Sequence, residues 1–148
     1  MPTDKANLAF FSSLSGSLRI TLTEPARPMS EHVMNLQASP EARIASIELR
    51  MKIWLPAQKT FRELTDDEWT KVVLTERSIK MRGEADKVVE HAAPDGKQFT
   101  VRDLTAAVCE TERQGRGDSS WLGGVDVHHV FFEGIDLEDG VWCIRWGS

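Results

Sequence analysis

The chain is predicted to fold as an α+β domain, an antiparallel sheet of short strands and hairpins with two to three helices packed on one face. Three observations predict it. Short segments of alternating apolar residues recur between Gly-, Pro- and Asp-containing turns, which is the pattern of hairpins. Two Thr-led capping boxes announce helices. The order of elements lacks the strand–helix alternation that builds a parallel sheet. With 148 residues, the chain fits one domain. Residues 1–16 are expected to form a mobile N-terminal segment and residues 17–148 the folded domain.

Ser17–Glu24 (SLRITLTE) sets Leu18, Ile20 and Leu22 on one side, as a first strand requires. Two prolines in PARPMS then break it. The next stretch carries two signals. Ser39, Pro40 and Glu41 form a helix start, and Ile44, Ile47, Met51, Trp54 and Leu55 follow at helical spacing. Yet Ile47, Leu49, Met51, Ile53 and Leu55 also alternate with polar neighbours, as in a strand. The start signals favour a helix over residues 40–54. Pro56 ends the element either way.

Thr65 and Glu68 make a capping box ahead of Trp69, Val72, Val73 and Ile79, so a helix is expected through residue 82. Residues 86–99 read as two short strands around Pro94-Asp95-Gly96. Thr100 and Asp103 cap a further helix, with Leu104, Ala107, Val108 and Thr111 facing inward. Residues 115–124 form a glycine-rich loop. The chain closes with a hairpin turning at Asp139-Gly140.

The net charge of −5 argues against nucleic-acid binding, which depends on neutralising phosphates with Lys and Arg. The excess is localised. From residue 118 onward Arg145 stands against Asp118, Asp126, Glu133, Asp136, Glu138 and Asp139. No apolar run approaches the roughly 18 residues of a membrane span, and residues 1–18 lack the charge and apolar core of a secretory signal. Cys109 and Cys143 share no CxxC spacing and read as reduced thiols of a cytoplasmic protein.

In the closing hairpin, simple alternation pairs Leu137 with Trp142, Ile135 with Ile144 and Glu133 with Trp146. That register puts Glu133 on the apolar face with His129 and Phe131, where burial raises a carboxyl pKa and suits an acid or base. A bulge at Gly134 would turn Glu133 outward instead. His128 and His129 point to opposite faces and cannot share one metal ion. Asp126 and His128 share a face about 6.8 Å apart, but a metal would need a further ligand such as Cys143, His91 or His32. No metal or cofactor is therefore expected. Arg116-Gly117-Asp118 spells an adhesion tripeptide by chance, the glycines match no phosphate-binding loop, and Ser119 and Ser120 lack a nucleophile elbow.

The leading functional expectation is a small binding or regulatory domain, inhibitor- or immunity-like, that is not an enzyme. It would contact a protein partner, one with a basic surface for the hairpin acids to meet, with homodimerisation as a further expectation. Its contact residues would be Trp121, Asp126, Asp136, Glu138 and Asp139. The alternative is an enzyme or small-ligand binder with a pocket between the sheet and loop 115–124. There Glu133 is the acid or base, His128 or His129 assists, and Trp121 closes over the ligand.

Overall fold

The computed structural model describes residues 5–22, 44–117 and 130–147. Among the described residues, three helices, α1 (Lys5–Ser13), α2 (Asp66–Trp69) and α3 (Val101–Gly117), accompany nine strands. The strands are β1 (Ser15–Leu22), β2 (Ile44–Leu55), β3 (Thr60–Glu63), β4 (Val72–Leu74), β5 (Ser78–Arg82), β6 (Val88–Ala92), β7 (Phe99–Thr100), β8 (Phe131–Glu138) and β9 (Val141–Gly147). Seven of them form one sheet in the order β3-β2-β1-β8-β9-β5-β6, and β4 pairs with β7 in a small second sheet. Pairing is antiparallel except between β9 and β5, where Met81 meets Trp142 in parallel. This is the α+β architecture the sequence predicts.

One face of the large sheet carries the core. Leu18, Leu49, Met51, Ile79, Met81, Phe132, Trp142 and Ile144 are buried there against Phe11 of α1 and Leu104 and Val108 of α3. Phe11 meets Phe132 edge-on at 5.4 Å, and Phe132 meets Trp146 edge-on at 5.9 Å. This aromatic chain links α1 to the closing hairpin, and such pairs add stability beyond the area they bury. At the N-terminus residues 5–13 form a helix and Phe11 is fully buried. The apolar patch Leu8–Phe11 docks on the sheet rather than trailing from it.

Two helices expected from the sequence are strands. Residues 44–55 form β2, and the alternation of Ile47, Leu49, Met51 and Ile53 wins over the start signal at Ser39–Glu41. Those side chains meet β1 partners of matching pattern, with Leu18 opposite Leu49 and Ile20 opposite Ile47, so each buries a whole row at once. The start signal itself falls outside the described residues. The capping box at Thr65 does form, but its helix lasts one turn. Thr70 Oγ1 donates to the carbonyl oxygens of Asp66 and Asp67, and the β-branched Val72 and Val73 enter β4. Ile79 and Met81 then point inward and Ser78 and Lys80 outward, a period of two that makes β5.

The strands flanking Asp95-Gly96 are present, but they do not pair with each other. β6 pairs with β5, and β7 crosses to β4. The second capping box holds as expected: Asp103 N–H donates to Thr100 Oγ1 and Thr100 N–H to the Asp103 carboxylate. Leu104, Ala107, Val108 and Thr111 are all buried. Helix α3 runs on through Gly115, where the expected loop begins. Without a Cβ, Gly115 lets the helix lie against Ala85.

The closing hairpin turns at Asp139 (φ 51°) and Gly140 (φ 80°), the conformation an Asp-Gly hairpin turn requires. Leu137 pairs with Trp142 and Ile135 with Ile144, as expected. Beyond them the register shifts, and Phe132, not Glu133, pairs with Trp146. Gly134 takes φ 106° in this bulge, with Ser12 packed against it. Phe132 is thereby buried, while Phe131 and Glu133 face solvent.

Two expected outcomes follow from these contacts. Gly134→Ala forces a side chain into a conformation that favours glycine and crowds Ser12, and should cost about 1–3 kcal/mol in urea denaturation. Stability equal to wild type would contradict the bulge. Separately, Arg62 holds the Glu68 carboxylate through two hydrogen bonds of 2.8 and 2.9 Å, and the Thr65 N–H adds a third. Together they lower its pKa from the ordinary 4.5 to about 2. A depressed folded-state pKa adds stability above the ordinary value and loses it as pH falls through the folded one. Glu68→Gln should therefore flatten the loss of stability between pH 4.5 and about 2. An acid limb identical to wild type would count against the pair.

Candidate functional site

The closing hairpin was expected to present its acids as a negative surface. The structure pairs them. Arg145 grips the Asp136 carboxylate with hydrogen bonds of 2.8 and 2.7 Å and reaches Glu138 at 3.1 Å. Arg82 of β5 adds a 3.3 Å contact to Glu138 and a 3.2 Å contact to Asp86. The Arg145 guanidinium holds the Asp136 pKa below the usual carboxylate range. Asp139 is exposed at the turn. Arg82, Arg145, Asp86, Asp136 and Glu138 thus form one network, two cations among three carboxylates, less acidic than the sequence suggests.

Cys143 sits inside this network, 3% exposed, with its thiol 3.2 Å from Glu138 and Arg82 Nη2 3.0 Å away. Burial, with the Glu138 carboxylate second, pushes its pKa up. The ligand atoms of Asp136, Glu138 and Cys143 lie within 4.8 Å of one another. The two guanidiniums already neutralise that cluster, so a cation there would compete with charges built into the fold. Cys109 and Cys143 are both free thiols.

Glu133, the carboxylate expected among aromatics, is exposed, and it packs against the Gly147 backbone rather than entering the core. The bulge at Gly134 is the physical reason, and it removes the burial on which acid–base chemistry at Glu133 rested. His128, His129, Trp121 and Asp126 lie outside the described residues, as does loop 118–124. His91 does not approach the hairpin cluster. Its Nε2 is 2.7 Å from Thr111 Oγ1, and burial lowers its pKa.

Among the described residues, the fully buried carboxylate is Glu112. It pairs with Arg116 at 2.5 Å, and both side chains are fully buried. Its second oxygen accepts Trp146 Nε1–H at 3.1 Å and the Glu84 backbone N–H at 3.1 Å. The Arg116 guanidinium lies over the Trp146 ring, 5.3 Å from its centroid. Gly83 makes room, since a methyl there would collide with the Glu112 carboxylate. The signal for this centre lies in the sequence: Leu104, Val108, Glu112 and Arg116 follow at steps of four, one stripe of a helix. An apolar stripe that ends in an acid and a base marks a buried pair.

Among the described residues, no helix is long and apolar enough to cross a membrane. Comparison with protein families, curated proteins and solved structures finds no match to this chain.

Glu112→Leu should cost about 3–5 kcal/mol, because it strands the Arg116 charge in the core. Adding Arg116→Leu should recover part of that loss. A double-mutant cycle by urea denaturation reads the coupling, and additive losses would contradict a working pair.

Proposed function

We propose that this chain is a binding domain that engages another protein through the solvent-facing side of its seven-stranded sheet. One observation carries the reading: among the described residues the helices pack on a single face, and the opposite face exposes aromatic side chains among charges. Trp54 is 43% exposed, Phe61 50% and Phe131 52%. Trp54 and Phe61 stack across β2 and β3 with ring centroids 4.9 Å apart. Around them the cross-strand neighbours Arg19–Glu48 and Lys52–Glu63 alternate in sign, and the Asp136–Arg145 network lies on the same face. Exposed aromatics set in a polar surround are the usual anchors of protein interfaces.

The hairpin acids keep a role in this reading, as partners for a mixed rather than a uniformly basic surface. Two free thiols favour a reducing compartment, so the reading places the protein in the cytoplasm. Homodimerisation through this face is its symmetric form.

The test compares wild type with Trp54→Ser/Phe131→Ser, whose substitutions are on exposed positions. Sedimentation reads self-association, and affinity capture from native extract reads other partners. The expected result is a saturable partner, or a dimer, whose affinity drops by about 2 kcal/mol or more in the variant. Equal retention of the same proteins by both forms, with both monomeric, would overturn the proposal.

A further inference from the structure

On the helix side of the sheet, α3 and β2 flank an open groove of about 450 Å³ that belongs to neither the open face nor the hairpin network. Its size falls in the range of about 300–1,000 Å³ typical of small-ligand pockets. Ile47 and Leu49 of β2 and Ala106 and Cys109 of α3 line it with apolar surface, and Trp69 forms an aromatic wall. Burial pushes the Cys109 thiol up to about 11, so it stays uncharged at neutral pH.

The groove's charges are matched except at one point. Arg113 donates to both oxygens of Glu110, and Glu48 lies 3.7 Å from Arg50. Arg102, exposed on the first turn of α3, lies with its guanidinium 5.8 Å from the Trp69 ring centroid. It has no carboxylate partner among the described residues. Trp69 is itself held in place by the capped turn of α2. An apolar trough therefore meets a pre-positioned cation whose charge the protein does not satisfy.

We propose that this groove binds a small organic acid with an apolar or aromatic body. The carboxylate meets Arg102, and the body lies along Trp69, Ile47 and Leu49. The guanidinium supplies a charge-assisted hydrogen bond that neutral or cationic analogues lack.

Titration calorimetry with octanoate, decanoate and phenylbutanoate tests this, with phenylbutanol and phenylbutylamine as controls. At least one acid should saturate the protein, and phenylbutanoate should bind about tenfold tighter than its alcohol or amine. Arg102→Gln should remove that advantage, and Ala106→Trp, which fills the groove from an exposed position, should abolish binding. In the wild type, amide shifts on titration should cluster around Trp69 and Ala106, a readout independent of either variant. The proposal is overturned if no acid saturates, if the alcohol or amine binds as tightly as the acid, or if the shifts fall elsewhere.

Discussion

The Glu112–Arg116 pair is the constraint on which the rest of the structure depends. Taking two charges out of water costs several kcal/mol per ion, so the site is tolerable only with further partners in place. Those partners come from distant parts of the chain. Trp146 belongs to the last strand, and the Glu84 N–H belongs to the turn after β5. The end of α3, strand β9 and the β5–β6 turn must therefore assemble together or leave a buried charge exposed to the core. Gly83 and Gly115 serve the same junction by letting backbone approach where a side chain would block it.

This explains why the helices among the described residues gather on one face of the sheet. Trp146 bridges the two clusters, touching Phe132 on the α1 side and Arg116 on the α3 side. With that face filled, the opposite face is left to side chains that need no burial: cross-strand ion pairs, and the exposed Trp54, Phe61 and Phe131. The binding reading follows from this division of labour rather than from the net charge of the last segment. Arg82 and Arg145 already pair with two of the hairpin acids, Asp136 and Glu138. The groove beside α3 is a second consequence of one-sided packing, since α3 meets β2 at one margin of the core without filling it.

Much of the fold was legible in local chemistry. The two Thr capping boxes, the Asp139-Gly140 turn and the inward stripe of α3 each rest on interactions within a few residues, and each is present. The misreadings share a cause. At 44–55 a local helix start competed with an alternation whose value depends on partners in β1. At 71–82 a capping box was extended past the single turn it controls. At Glu133 the alternation was sound until Gly134 absorbed a bulge, which only the packing of Ser12 and Phe132 decides. Glu112 and Arg116 continue the Leu104–Val108 stripe at i+4 spacing, and only the packing of Trp146 and the Glu84 turn makes that pair a buried one. Local signals held where the interaction was local, and gave way wherever pairing set the outcome.

Hydrogen exchange at the Glu84 amide tests the central claim most directly. Glu84 lies in a turn and its N–H has one carboxylate acceptor, buried Glu112. If the ion pair unites α3, β9 and this turn, the Glu84 amide should exchange as slowly as the interior amides of α3, opening only with the whole unit. Exchange at the rate of an open surface turn would contradict the account.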